Sequence, residues 1–244
     1  MTMKDSTILI TGGTSGIGLA LAEGLAGWGN TVIVCGRRED RLAEVRQRLP
    51  RIVTRACDLG TAEQRLELVD WLVERHPAVN VLVNNAGVQL RFDATRPVDL
   101  ARVHQEIELN LVAPVHLSSL LAGHLAGKPG ATIVNISSGL AFVPLAEVGL
   151  YSATKAAIHS LSLTMRYQLK GMGIRVVELA PQATDTELGA DRRDDPGRSH
   201  GGMPLEEFLA EALAGLASGA DEIMVGAAAR MRAAGDGMFP MLNR

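Results

Sequence analysis

Seven short runs of apolar, mostly β-branched residues punctuate the chain: "TILIT" (7–11), "TVIVC" (31–35), "RIVTRACD" (51–58), "VNVLVN" (79–84), "ATIVNIS" (131–137), "IRVVELA" (174–180) and "EIMVG" (222–226). Each is apolar along its length and not only at alternate positions, the pattern of strands covered on both faces. Between them lie segments with helical spacing, including "GLALAEGLAGW" (18–28), "REDRLAEVRQRL" (38–49) and "TAEQRLELVDWLVERH" (61–76). Strand and helix in alternation predict an α/β fold, a doubly wound parallel sheet of seven strands with helices on both faces. No Pro/Gly/Ser-rich linker and no internal repeat divides the pattern, so a single domain is expected over 1–244.

Two stretches stand apart. The segment "LARVHQEIELNLVAPVHLSSLLAGHLA" (100–126) carries apolar residues on more than one stripe, which asks for a second partner surface. The segment "DTELGADRRDDPGRSHGGMP" (185–204) is charged and glycine-containing, and reads either as a lid at the strand ends or as a solvated connection with no role.

Composition narrows the functions. Hydrophobic residues make up 47% and charged residues 21%, enough for a core and without a disorder signature. A net charge of -3 and only 3% aromatics argue against nucleic acid or an acidic membrane surface as partner. No apolar run approaches the roughly 20 residues of a membrane span. Cys35 and Cys57, the two cysteines, fit neither a disulfide scaffold nor a metal site, and both end apolar runs as small buried hydrophobes. The six histidines show no metal-binding spacing, so no metal is expected. The expected setting is cytoplasmic.

The first candidate site follows the first strand directly. "TGGTSGIG" (11–18) opens the first helix, and glycines at 12, 16 and 18 let backbone approach a pyrophosphate at a helix N-terminus. A dinucleotide-binding protein that prefers NAD places an acid near the end of strand two. Here Gly36 stands near that place and Arg37 and Arg38 follow, a pair suited to a 2′-phosphate, so NADP(H) is favoured over NAD(H). The same arginines would also serve as solvated charges at a helix start. Asp58, in "CDL", can accept from an adenine amine or close a loop, and Asn84, in "NNAG", suits tying strand ends together.

The second candidate lies in "GLYSATKAAIHS" (149–160), where Tyr151 and Lys155 are four residues apart and share a helix face. A phenol of pKa about 10 needs roughly 3–4 kcal/mol to titrate near neutrality. One ammonium at about 4 Å supplies on the order of 4 kcal/mol at an effective dielectric of 20, so the lysine suffices. Taken alone, the pair also fits two snorkelling side chains on an ordinary helix.

With "TGGTSGIG", "CDL", "NNAG", "ELN", "VNISS", "YSATK" and "PQATDT" in this order, the chain resembles the short-chain dehydrogenase/reductase family in its single-domain form. The stretches "GNTVIVCGRR", "SSGLAFVPLA" and "ELAPQATDTEL" are similar, more narrowly, to the DltE-like oxidoreductase branch. The resemblance implies a three-layer Rossmann fold and an oxidoreductase acting on a carbonyl or alcohol. It makes Tyr151 the general acid/base, Lys155 its electrostatic partner and the holder of the nicotinamide ribose, and Ser138 the donor to the substrate oxygen, with Ser137 the neighbouring choice. Asn110 would place a water for proton relay. Cofactor contacts would come from Gly12, Thr14, Ser15, Gly16, Ile17 and Gly18, from Arg37 and Arg38, and from Asp58 and Leu59. Asn85, Ala86, Gly87, Tyr151, Lys155, Pro181, Thr184 and Thr186 complete that set, the last two at the carboxamide.

Leu90, Phe92, Leu140 and Phe142 are expected to give the substrate pocket apolar walls, with Arg91 either meeting an acidic group or facing solvent. The 100–126 segment would build a two-fold dimer. Two departures stand out: Gln182 follows Pro181 where the family has glycine, and "GAAARMRAAGDGMFPMLNR" (226–244) replaces the usual glycine-rich ending with a helix and an apolar tail. The alternative function is a sensor that binds nucleotide without turnover.

Overall fold

The structure, a computed structural model, describes residues 3–189, 199 and 201–243. All seven apolar runs form strands: β1 (Thr7–Thr11), β2 (Thr31–Gly36), β3 (Val53–Ala56), β4 (Val79–Asn84), β5 (Thr132–Ile136), β6 (Arg175–Ala180) and β7 (Glu222–Met224). They pair in parallel throughout, in the order β3-β2-β1-β4-β5-β6-β7. The order reverses between β1 and β4, which opens the crevice at their carboxyl ends where ligands of such sheets bind.

Continuous apolar runs are needed because both faces are covered. Ile8 and Ile10 of β1 enter one core with Leu21 and Leu25 of α1 (Gly16–Gly27), Leu42 of α2 (Glu39–Arg48) and Phe208 of α7 (Leu205–Ser218). Leu9, between them, enters the other core. There it meets Leu68 and Leu72 of α3 (Ala62–Arg75), Leu117 and Leu121 of α5 (Ala113–Leu125) and Met165 of α6 (Gly149–Leu169). Cys35 and Cys57 belong to the same core, and burial pushes both thiols up, Cys57 to about 11, so both stay protonated.

The structure corrects two expectations about elements and bears out a third, the helix in the tail. The run 51–58 yields only the four residues of β3, because the N–H of Ile52 closes a turn onto the Leu49 carbonyl at 2.9 Å. The segment 100–126 is broken into α4 (Leu100–Ile107), a π-turn (Glu108–Val112) and α5. The break has a local cause: Pro114 has no N–H to give the Asn110 carbonyl four residues back. The tail forms α8 (Ala228–Ala234) and α9 (Phe239–Leu242), joined by a 3₁₀ turn. Much of the expected lid, 190–198 and 200, lies outside the described residues. Its two ends are tied together, with Asp185 N–H donating to Met203 O and Met203 N–H to Ala183 O, each at 2.8 Å. Among the described residues no helix is long and apolar enough to cross a membrane.

Candidate active site

Strand β1 ends at Thr11 and α1 begins at Gly16, whose φ of +52° is a left-handed conformation natural only to glycine. Ser15 precedes α1 in an extended conformation, and its hydroxyl makes no cap hydrogen bond. The first N–H groups and the positive dipole end of α1 thus remain available to an anion, which fits a pyrophosphate. A Cβ at Gly36 would lie 2.9 Å from Thr14 Cγ2, too close for two carbons. The end of β2 therefore has no room for the acid of an NAD site unless the Thr14 side chain turns away. Arg37 comes next, exposed and without a side-chain partner among the described residues.

Other expected cofactor residues divide between those facing the crevice and those holding it together. Asp58 Oδ1 accepts from Gly60 N–H at 2.9 Å, so the loop-closing reading holds for that oxygen and a nucleotide contact falls to Oδ2. Leu59 has its side chain buried in the core and its carbonyl accepting from Arg65 Nη1 at 2.6 Å, so what it offers a ligand is its N–H. Asn85 is among those holding the crevice together. Its side-chain amide donates to Thr11 O at 2.8 Å and Gly12 O at 3.3 Å, stitching the loop after β4 to the phosphate loop. The Thr11 hydroxyl continues the seam, accepting from Asn85 N–H at 2.9 Å and Ala86 N–H at 3.0 Å. Asn84 ties β4 to α5 and β5 by donating to Ser118 Oγ at 3.0 Å and Asn135 Oδ1 at 2.9 Å. Pro181 O accepts from Gly139 N–H at 2.8 Å, and Thr184 Oγ1 donates to Gln182 O at 3.0 Å. Thr186 reaches the phosphate loop, its Cβ 3.3 Å from where a Cβ on Gly16 would stand.

Tyr151 and Lys155 lie one turn apart on α6, only 6% and 4% exposed. The ammonium stands 5.5 Å from the centre of the Tyr151 ring and donates to Ile136 O at 2.8 Å. Burial lowers its pKa from the ordinary 10.5 to about 8. α6 packs against the 3₁₀ turn Gly139–Ala141 at the exit of β5. Ser138 caps that turn, its Oγ accepting from Leu140 N–H at 3.1 Å, so the hydroxyl hydrogen is left to donate elsewhere. Ser137 is sealed inside, and among the described residues its Oγ has no partner.

Asn110, in the π-turn, is 1% exposed. Its Oδ1 accepts from Val88 N–H at 2.8 Å, and its Nδ2 donates to Val88 O at 2.8 Å and Thr154 Oγ1 at 3.2 Å. The side chain is thus committed to clamping the loop after β4 to α6, and its main-chain carbonyl is the group Pro114 leaves without an α-helical partner. Asn110→Ala should strip three hydrogen bonds at about 1 kcal/mol each. A melting point lower by about 6–12 °C is expected for a chain of this size. Calorimetry checks it, and a shift under about 2 °C would mean the loop is held by something else.

The two departures from the family pattern meet in space. Gln182 Oε1 accepts from Ala227 N–H at 2.6 Å, so its side chain serves the start of α8. α8 brings Ala228 and Met231 against Phe142 and Val143. Asn243 finishes the brace, Nδ2 donating to Pro144 O at 3.0 Å and Oδ1 accepting from Ala146 N–H at 2.6 Å. Phe142 is therefore not a pocket wall: it is buried under α8, edge-on to His159 at 4.9 Å with the Arg232 guanidinium 5.1 Å above it. Leu140 packs against the same cluster. Phe92, by contrast, lines a cavity of about 530 Å³ with Pro144, Leu145, Gly149 and Phe239 of the tail. Phe239 was not legible as a wall, since nothing local marks a tail residue for a site. Arg91 faces solvent beside Glu147 at 3.7 Å.

His159, Glu178 and Glu222 place ligand-type atoms within 4.8 Å of one another. Arg166 and Arg232 flank Glu222 at 3.8 and 3.7 Å, supplying the positive charge a metal ion would bring.

Residues 6–197 match the pattern of the family described as short chain dehydrogenase. The chain is 46% identical over 248 residues to the uncharacterized oxidoreductase DltE of Bacillus subtilis strain 168, covering 100% of this chain and 98% of that protein. A short-chain dehydrogenase from Sphingobium yanoikuyae in complex with NADPH superposes with a TM-score of 0.80 at 28% identity, over 89% of this chain and 87% of that one. A member from Burkholderia phymatum in complex with NAD shares the fold, with a TM-score of 0.85 at 22% identity over 95% and 93% of the two chains. The two structures carry different nucleotides, so the choice between them must be sought in this chain's own residues.

Proposed function

Because the chain belongs to the short-chain dehydrogenase family, in its DltE-like branch, and is an oxidoreductase of that family, we propose that it moves hydride between NADP(H) and a carbonyl or secondary alcohol, with Tyr151 as acid/base. The observation that carries this reading is the buried Tyr151–Lys155 pair on one face of α6, packed against the turn that Ser138 caps.

The nicotinamide, when bound, supplies or accepts the hydride. In reduction Tyr151 gives its phenolic proton to the carbonyl oxygen, and in oxidation it takes the alcohol proton. Lys155 stabilises the phenolate and holds the nicotinamide ribose. Ser138 donates its free hydroxyl hydrogen to the substrate oxygen as charge builds there. Asn110 acts through its main-chain carbonyl, placing the water that returns a proton by way of Lys155.

The loop Gly12–Gly18 and the start of α1 hold the pyrophosphate, and Arg37 and Arg38 hold the 2′-phosphate. Asp58 Oδ2 and the Leu59 N–H meet the adenine, and Asn85, Ala86 and Gly87 offer main chain only. Pro181, Thr184 and Thr186 border the nicotinamide carboxamide. The crowding of Thr14 against position 36 supports NADP(H) over NAD(H).

The cavity walled by Phe92, Leu145 and Phe239 suits a hydrophobic ketone or aldehyde. Val112 at the end of the π-turn and Val115 on α5, with Leu163 and Tyr167 on α6, offer exposed apolar side chains that a second copy of the chain would cover. Two free buried thiols suit a reducing compartment such as the cytoplasm.

The test is a panel of carbonyl compounds with NADPH and with NADH, and light scattering on the same sample. Turnover of apolar ketones with NADPH preferred about tenfold or more is expected, from particles of at least two 25.9 kDa chains. Nucleotide binding without turnover on any carbonyl would sink the catalytic reading in favour of a sensor.

A further inference from the structure

Beside the phosphate loop, two arginines of α2 meet a glutamate from a distant part of the chain, with Glu44 also pairing with Arg41 at 3.2 Å. Arg38 caps α2 and Arg41 lies in its first turn, while Glu187 comes from the segment after β6. Glu187 Oε1 accepts from Arg41 Nη2 at 3.3 Å, and its Oε2 lies 3.9 Å from Arg38 Nη2. One carboxylate thus bridges two guanidiniums through its two oxygens, as a phosphate group does. Arg41 and Glu187 share a cavity of about 580 Å³ with Thr14, Ser15 and Gly16. Thr186, next to Glu187, already stands against Gly16, so this segment lies over the phosphate loop itself. The side chains of Arg38, Arg41 and Glu187 are 48%, 34% and 55% exposed, so the pairing is weak and exchangeable.

We propose that Glu187 is a built-in counterion standing in for the 2′-phosphate of NADP(H), and that Arg41 is a further phosphate-binding cation beside Arg37 and Arg38. The inference rests on the NADP(H) reading above and sharpens it. A dianionic phosphate and a carboxylate repel one another and compete for the same two guanidiniums. Arrival of the phosphate therefore displaces Glu187 and frees the Thr186–Glu187 segment from α2. NAD(H) has no group at that position and leaves the Glu187 bridge in place. Glu187 accordingly weakens NADP(H) binding in proportion to the strength of the bridge, and Arg41 strengthens it.

The experiment is a fluorescence titration of parent, Glu187→Gln and Arg41→Met with NADPH and with NADH, at low and high salt. Its readout is the ratio of the two affinities, in which effects common to both nucleotides cancel. Glu187→Gln should shift the ratio about three- to tenfold toward NADPH, and Arg41→Met about tenfold away from it. Both changes should shrink at high salt. A gain in NADPH affinity cannot come from damaged folding, so the two variants guard one another. An unchanged ratio in either variant overturns the inference, and so does a ratio that rises in Glu187→Gln because NADH alone binds more weakly, as it would if Glu187 accepted from the ribose 2′-hydroxyl. If the parent binds neither nucleotide, the cofactor reading itself falls.

Discussion

Tyr151→Phe is expected to lower kcat about 10²- to 10⁴-fold, the range for loss of a positioned acid/base, while the protein stays folded. The substitution removes one oxygen and keeps the ring. The packing of that ring, 6% exposed with the Lys155 ammonium 5.5 Å from its centre, is therefore retained. Stability should change by about 1 kcal/mol or less, the worth of a single hydrogen bond. NADPH affinity should change little if, as proposed, the phosphate loop and the arginines hold the larger part of the nucleotide. A structural tyrosine would behave in the opposite way, losing melting temperature together with activity. The measurement is kcat on whichever ketone the parent reduces best, paired with a melting curve. A variant that keeps near-parental turnover removes Tyr151 from the chemistry.

What the sequence makes legible here is what local spacing controls. The strands are readable because a run such as Ile8, Leu9, Ile10 must satisfy two different cores at once, which forces apolar residues at successive positions. Tyr151 and Lys155 are readable because a helix turn alone puts them on one face. The phosphate loop is readable because strand, glycines and helix are contiguous.

The rest is decided by partners far away in the chain. Asn85 has the right chemistry for a cofactor, yet Thr11, 74 residues distant, claims its amide. Phe142 has the composition of a pocket wall, yet α8, a tail helix whose docking place nothing local marks, covers it. Glu187 and Arg41, 146 residues apart, carry no sequence signal of meeting. The break in the helix at Asn110 was open to inference in part, because Pro114, four residues on, has no N–H for the Asn110 carbonyl.

Lys155→Met should produce a protein that is more stable and far less active. In the native state burial lowers the ammonium pKa from 10.5 to about 8, a cost of about 3 kcal/mol to stability when the lysine is charged. Below pH 8 the native and unfolded states both carry the proton, and the native state bears that cost in full. Between pH 8 and 10.5 the native state releases the proton while the unfolded chain keeps it, so the parent's stability climbs as pH rises. Above 10.5 both states are neutral and the cost is gone.

Methionine never bears this cost, but it leaves Ile136 O without its 2.8 Å donor, which costs about 1 kcal/mol. The variant should therefore exceed the parent by about 2 kcal/mol at pH 7 and fall about 1 kcal/mol behind it near pH 10.5. Its kcat should drop about 10²-fold or more, because the phenolate loses an ammonium worth on the order of 4 kcal/mol at close range. Urea denaturation at the two pH values reads the crossover directly. A variant less stable than the parent at pH 7 would show that Lys155 is retained for the fold. A variant that gains stability while losing turnover shows instead that the buried charge is kept for its effect on Tyr151, against the interest of the folded state.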